Sequence, residues 1–246
     1  MKVSIVIPTY KRPYYLDRLL LSIQKQIFKE FEIIIVDDNS PNLDEYKYII
    51  EKYKNIFNEF KFITKRENKG APNSRNIGIK EAKYELIALV DDDDEWLPLK
   101  LERQVKMIED CNEKIGLIYT WTDVIDEDRN IVHRYRSELE GKLKNQIFKE
   151  CFIPSPSVLV RKKAIISAGL FDEGLPSCQD WDMWTRMILS GFEVKVIKEV
   201  LALYNKHSGD SIGLSKNAKL GYKMFYKKHA KYGVYPSVKY IRELLR

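Results

Sequence analysis

The run Asp91-Asp92-Asp93-Asp94-Glu95-Trp96 places five acids in a row directly after the apolar segment Leu86–Val90. Side chains alternate along extended backbone, so Asp91 and Asp93 share one side and Asp92 takes the other. Two carboxylates on one side are hard oxygen ligands suited to Mg²⁺ or Mn²⁺, and a cation there would cancel the repulsion within the run. The competing reading is a solvated loop whose Asp94 and Glu95 favour the start of the next helix. Spacing alone leaves both standing. A second pair, Asp37-Asp38, ends the apolar segment Glu32–Val36. Turn formation explains the Asn39-Ser40-Pro41 that follows, but not two adjacent carboxylates. A third group is Gln179-Asp180-Trp181-Asp182-Met183-Trp184. Asp180 reads as a helix N-cap, with Trp181, Trp184 and Ile188 as a packing face. Near a metal, a carboxylate at a helix start is also placed to accept a proton. His207, in the polar Lys206-His207-Ser208-Gly209, can complete an oxygen-rich metal site. His133 and His229 have no partners in sequence and are assigned no role.

These groups need a scaffold that gathers strand ends, because open α/β sheets hold ligands beyond the carboxyl ends of their strands. Short β-branched or apolar runs predict strands at Val3–Ile7, Glu32–Val36, Phe60–Ile63 and Leu86–Val90. Helical periodicity predicts Tyr14–Gln26, Leu43–Tyr53 and Pro72–Ala82 between them, an alternation that argues for a parallel sheet with right-handed crossovers. The second half is less regular. Its expected elements are a helix over Leu99–Asp110, a strand over Ile115–Thr120 and a hairpin within Val124–Val132. A strand over Ser157–Arg161 and a short helix ended by Gly169 come next. The helix Trp181–Leu189 and strand pieces at Phe192–Ile197 and Ala202–Tyr204 complete it. Pro8–Arg12 contains no glycine, and neither G-x-G-x-x-G nor G-x-x-x-x-G-K-[ST] occurs. A dinucleotide dehydrogenase and a P-loop NTPase are therefore disfavoured.

The chain has 246 residues and a formal charge of +6, but residues 216–246 hold nine basic residues against the single acid Glu243. The remaining 215 residues are slightly acidic, which argues against a nucleic-acid binder, whose basic residues belong on the folded domain. No apolar run is long enough to span a bilayer, and the N-terminus lacks a secretory h-region. Three scattered cysteines suit a reducing compartment better than a disulfide frame or a zinc site. A cytoplasmic location is expected. If the tail is helical, Tyr222, Phe225, Tyr226 and His229 form one stripe with Lys219, Lys223 and Lys227 beside it. Packing of the aromatic face is favoured; peripheral contact of residues 216–246 with an anionic membrane surface is the alternative.

Taken in order, the segments resemble family 2 glycosyltransferases of the GT-A fold. Val3–Tyr10 looks like that family's opening strand and nucleotide loop, and Glu32–Ser40 like its second strand. Asn68-Lys69-Gly70-Ala71, continuing to Ser74-Arg75-Asn76-Ile77-Gly78, matches N-x-G-x-x-x-A-R-N-x-G with Ser for Ala. Leu89–Trp96 matches the D-x-D region; Gly169–Glu173 with Gln179–Asp182 matches the acceptor-side block. The resemblance covers about residues 3–205. It implies an α/β fold: one GT-A domain over 1–215, with a mainly parallel sheet, and a helical tail. The nucleotide-sugar half is about 1–95 and the acceptor half about 96–215. It further implies that Pro8, Thr9, Tyr10, Arg12, Asp38, Arg75, Asp91 and Asp92 bind a nucleoside-diphosphate sugar. Asp93 and Asp91, with His207, would hold Mn²⁺ or Mg²⁺. Asp180 would be the general base, Asp182 the second choice, and the acceptor a glycan or lipid-linked hydroxyl. One base without a carboxylate nucleophile fits inversion by single displacement. Lys11 stands where asparagine is common, which bears on base recognition, and Gln179 where glutamate often precedes the base. A processive synthase is disfavoured, since no Q-x-x-R-W block occurs. The rivals are a nucleotidyltransferase, which needs a Gly-rich loop after the first strand, and a non-catalytic binding module of the same fold.

Overall fold

Val3–Thr9 (β1) and Phe31–Asp37 (β2) are buried along their whole length, as strands covered on both faces must be. They belong to a computed structural model that describes residues 1–206 and 216–233. β1 pairs in parallel with β2 and with Leu86–Leu89 (β4), and β2 pairs in parallel with Phe60–Thr64 (β3). Alternate residues serve opposite faces. Val3, Ile5 and Ile7 pack with Leu16, Leu19, Leu20 and Ile23 of helix Pro13–Gln24 (α1) and with Tyr46 and Ile49 of Leu43–Tyr53 (α2). Val6, Ile34 and Val36 pack on the other face with Ile79 of Ala71–Glu81 (α3). A Cβ added to Gly78 would lie 2.4 Å from Val6 Cγ1, so glycine is what lets α3 sit this close to β1. That seat fixes Arg75, one turn earlier on the same helix.

Beyond β4 the sheet becomes mixed. Its order is β3-β2-β1-β4-β8-β6-β9-β5, with β7 paired to β6. Leu159–Arg161 (β8) runs antiparallel between β4 and Ile115–Ile125 (β6); β6 pairs in parallel with Glu193–Asn205 (β9). Glu95–Trp96 (β5) closes antiparallel onto the end of β9, and Ile131–Tyr135 (β7) forms the hairpin with β6. The helices are Lys100–Glu109 (α4), Lys144–Ile147 (α5), Lys162–Ser167 (α6), Gln179–Leu189 (α7) and Lys216–His229 (α8).

Three expectations change. β9 is continuous where two pieces were read, because it keeps pairing with β6 through register shifts while Lys198 and Glu199 face solvent. β6 runs on to Ile125, so the hairpin turn is Asp126–Asn130, with Arg129 in the left-handed region at φ 63°. β5 and α5 were not foreseen; each is too short for a periodic signal.

α8 packs its aromatic stripe on α7. Phe225 stacks on Trp181 with centroids 4.0 Å apart, and Tyr222 and Tyr226 meet the same indole edge-on. Lys219, Lys223 and Lys227 remain exposed. Among the described residues no helix is long and apolar enough to cross a membrane.

Candidate active site

The acidic run leaves β4 with alternating exposure. Asp92 and Asp94 are 4% and 0% exposed, whereas Asp91 and Asp93 are partly open. Asp92 Oδ2 accepts a 2.7 Å hydrogen bond from Thr9 Oγ1, which also meets the Tyr46 hydroxyl at 2.9 Å. Tyr46 in turn accepts the Arg12 backbone N–H at 2.9 Å. This seats the Arg12 guanidinium 2.5 Å from Asp93 Oδ2 and 3.5 Å from Asp92 Oδ1. The structure thus brings Thr9, Arg12, Asp92 and Asp93 together through Tyr46, a residue in an amphipathic helix that gave no sequence signal. Burial pushes the Asp92 carboxyl up to about 7, with Asp93 adding repulsion while Thr9 and Arg12 pull the other way.

Asp94 corrects the reading of it as a solvated helix cap. α4 begins at Lys100, and Asp94 is turned inward, where Oδ1 accepts the Asn205 N–H at 3.2 Å and Oδ2 has no partner. Burial, then the charges of Asp93 and Asp91, hold its carboxyl well above the usual range.

The neighbouring strand ends are shaped by backbone. Lys11 and Asn39 both have left-handed φ, 59° and 65°, and the Lys11 N–H donates to Ser40 Oγ at 2.8 Å. Asparagine tolerates that conformation better than lysine. The unusual Lys11 therefore has a conformational consequence before any bearing on base recognition. Pro8 is buried in β1 opposite Val36, and Tyr10 is exposed with the Lys11 ammonium over its ring. Asp38 is buried and already engaged: Lys65 and the Lys69 and Gly70 N–H groups hold it, the latter two at 2.9 and 2.7 Å. As placed, it anchors the loop leading into α3.

Arg75 joins the two halves. It is 4% exposed, its Nη2 lies 2.5 Å from Asp91 Oδ1, and its Nη1 donates to Gln179 Oε1 at 3.1 Å. Gln179 Nε2 donates onward to the Leu175 carbonyl at 3.0 Å. The neutral amide thus both accepts from Arg75 and braces its own loop, which a glutamate could not do. Asp180 follows at the start of α7, partly exposed, with Oδ1 buried and without a hydrogen bond. Burial pushes its carboxyl above the ordinary value; the Arg75 charge opposes this, Asp91 adds repulsion, and the Ser155 hydroxyl offsets a little more. Ser155 lies in the turn Ser155–Ser157, pinned from α4 by Gln104 Nε2 on the Ser157 carbonyl at 2.8 Å. Neither residue was visible as functional in the sequence.

α7 starts under strain. Cys178 at its N-terminus has φ 57°, a conformation non-glycine residues hold only when their surroundings fix them. α8 is part of that fixation, because Ser177 Oγ donates to the Asn217 and Ala218 carbonyls at 3.2 and 3.3 Å. A Cβ on Gly221 would fall 1.9 Å from Ser177 Oγ, so the two segments meet only because residue 221 has no side chain.

Asp182 takes a different place from Asp180. It is 0% exposed and faces α8, where His229 Nε2 meets Oδ1 at 2.8 Å, Arg186 Nε donates to Oδ2 at 2.8 Å and Lys228 lies at 3.0 Å. Its position is that of a strut, and His229, given no role from sequence, is its partner. Burial raises the Asp182 carboxyl, but His229, Arg186 and Lys228 outweigh it and hold the group below the ordinary value. A depressed folded pKa contributes stability above the unfolded value and loses it as pH falls through the folded one. Asp182→Asn is therefore expected to cost about 3–5 kcal/mol at neutral pH. The difference should begin to shrink below the unfolded carboxyl pKa of about 3.9 and close only below the lower folded value, and urea titrations of both proteins across pH check this.

The donor set fits a divalent metal. Mg²⁺ and Mn²⁺ are commonly held by one or two carboxylates, with substrate phosphates and water completing the shell. Asp91 and Asp93 are both partly open, and each faces an arginine. Among the described residues no group of three or more His, Cys, Asp or Glu forms a closed metal cage. His207 lies outside the described residues.

Comparison with known proteins agrees. The Glycosyl transferase family 2 model matches residues 4–171. An uncharacterized glycosyltransferase of Methanocaldococcus jannaschii is 36% identical over 212 residues, covering 85% of this chain and 72% of that protein. A Campylobacter jejuni GalNAc(5)-diNAcBac-PP-undecaprenol beta-1,3-glucosyltransferase is 26% identical, covering 88% and 69%. Other relatives are longer: the chain spans 27% of a Rickettsia bellii glycosyltransferase. Among solved structures, S. aureus TarS with UDP-GlcNAc superposes with a TM-score of 0.75 at 23% identity, over 93% of this chain and 66% of that one. A Pyrobaculum calidifontis mannosyltransferase with GDP-Man and Mn²⁺ gives 0.69 at 14% identity, over 94% and 64%. The strand order, the family match and these likenesses lead to one assignment: the chain belongs to glycosyl transferase family 2 and is a glycosyltransferase of the GT-A fold.

Proposed function

We propose that the chain moves a sugar from a nucleoside-diphosphate sugar to a hydroxyl of a glycan or lipid-linked acceptor, with inversion and with help from Mn²⁺ or Mg²⁺. One observation carries this reading: a single buried guanidinium, Arg75, touches Asp91 on one side and the start of the Asp180 helix on the other. Carboxylates of the metal-binding kind and a partly exposed carboxylate with a raised pKa thereby lie at one locus. TarS with UDP-GlcNAc and the mannosyltransferase with GDP-Man and Mn²⁺ support the donor class and the metal. The Campylobacter enzyme's undecaprenol-linked acceptor supports a lipid-linked one here. In this reading residues 1–95 are the donor half, 96–215 the acceptor half and 216–246 a tail whose helix α8 braces α7.

Bound at Asp91 and Asp93, a divalent cation would supply positive charge to the departing diphosphate. The chain's own residues do the rest. Arg12, Thr9 and Tyr46 hold Asp92 and Asp93 in place, and Arg75 orients Asp91. Asp180 takes the proton from the acceptor hydroxyl as its oxygen attacks the anomeric carbon. A base works deprotonated, so a raised Asp180 pKa predicts that transfer climbs with pH along an acid limb set above the ordinary carboxylate value of ~4. A kcat/KM profile already level at that value would remove Asp180 from the role. The function itself is tested by a panel of nucleotide-sugars with Mn²⁺. One donor should give thermal stabilisation and nucleoside diphosphate release, with inverted product by NMR; silence across the panel or a retained anomer would overturn the reading.

A further inference from the structure

A cavity of about 250 Å³ lies between α7 and α8, and among the described residues no carboxylate lines it. Its walls include Arg186, Ser190, Lys228, His229, Lys231 and Tyr232. Asp182 and Asp172 are the carboxylates nearest these cations: Asp182 takes Arg186 Nε, Lys228 and His229 Nε2, and Asp172 takes Lys228. That leaves positive charge over. Among the described residues, Arg186, Lys228 and Lys231 are three fixed cations against two carboxylates, before the imidazole is counted. It also leaves polar nitrogens over. Arg186 Nη2 and His229 Nδ1 are both buried without a hydrogen-bond partner, and His229 is only 2% exposed. Buried polar nitrogens are costly unless paired, and both residues that carry them line this cavity.

We infer that this cavity is a binding site for a phosphate-class oxyanion. A tetrahedral oxyanion can accept from several directions at once. Here it would take Arg186 Nη2 and the exposed Lys231 ammonium at the mouth, and meet His229 Nδ1, which donates if the ring is charged and otherwise accepts from a protonated anion oxygen. Water could satisfy one nitrogen, but it would leave the excess charge uncompensated. The anion is either free phosphate or a phosphomonoester headgroup at a lipid surface; both present the same oxygens.

The chain has three histidines, so the His229 ring is readily assigned in ¹H–¹³C spectra. Inorganic phosphate, titrated without divalent metal at constant ionic strength, should shift the His229 ring signals saturably. Lys231→Glu, at an exposed site outside the catalytic machinery, should weaken that titration by roughly tenfold or more, the scale of one charge-assisted hydrogen bond. Arg186→Lys keeps the charge but loses Nη2 and should also weaken it; if it fails to fold, Lys231→Glu alone decides. Asp93→Asn should titrate as wild type, which separates this site from the donor site. Sedimentation with phosphatidylcholine vesicles, with and without phosphatidic acid, distinguishes the sources. Lys231-dependent partitioning to phosphatidic acid assigns a headgroup, and phosphate binding without partitioning assigns the free ion. Immobile His229 signals, or a Lys231→Glu protein that titrates as wild type, would overturn the inference.

Discussion

Asp180→Asn is expected to abolish most transfer while leaving donor binding in place. The substitution keeps the shape of the side chain but removes its capacity to take a proton, and a positioned general base contributes on the order of 10²–10⁴ in rate. The loss should fall on kcat. The affinity for the nucleoside diphosphate should stay within a few-fold, because Asp91 and Asp93 leave the sheet at the end of β4 while Asp180 stands on α7. Asp182→Asn predicts the opposite pattern. Its carboxylate is sealed against His229, Arg186 and Lys228, so stability should fall while the folded enzyme turns over nearly normally. Steady-state kinetics with calorimetry on both variants separates two aspartates only two residues apart. Normal turnover by Asp180→Asn would place the base elsewhere.

Arg75→Met carries the second large effect. Arg75 is buried but Asp91 is partly open, so water screens the charge left behind and the loss should be about 1–3 kcal/mol. Here Asp91 and Gln179 lose their shared donor together. The variant should therefore unfold at lower urea and bind donor more weakly, since Asp91 is no longer held. Arg75 also opposes the rise in the Asp180 pKa. Without it the acid limb of the pH–rate profile should move to higher pH, in whatever fraction stays folded. Arg75→Lys keeps the charge but not the planar fork, so it should restore the limb more fully than the stability. An Arg75→Met enzyme with unchanged stability and an unmoved limb would contradict the bridging role.

The N-terminal half was legible because its signals are local. Strands buried on both faces read as unbroken apolar runs, and α1, α2 and α3 show the matching helical period. The acidic strand ends were legible for the same reason, since five carboxylates after a buried strand conflict with burial unless something answers them. The alternation of exposure from Asp91 to Asp94 follows from backbone geometry alone. What stayed hidden depends on contacts between distant segments. Tyr46 supports Thr9 and Arg12 from another helix, and Ser155 comes beside Asp180 because Gln104 pins its turn. Nothing at residues 46, 104 or 155 departs from an ordinary amphipathic or loop pattern. Asp94 misled for a related reason: its inward turn is set by β9, more than a hundred residues later. The sequence ranked Asp180 ahead of Asp182 as base, but that His229 and Lys228 of α8 would engage Asp182 could not be read from it.

The most direct measurement is calorimetry of the nucleoside diphosphate that matches the active donor, with Mn²⁺ and then with EDTA. The two partly open carboxylates, each paired with an arginine that a cation could replace, predict tight binding with Mn²⁺ that collapses in EDTA. Asp93→Asn should collapse it equally in the presence of Mn²⁺. Equal affinity with and without the metal would contradict a cation-assisted donor site at Asp91 and Asp93.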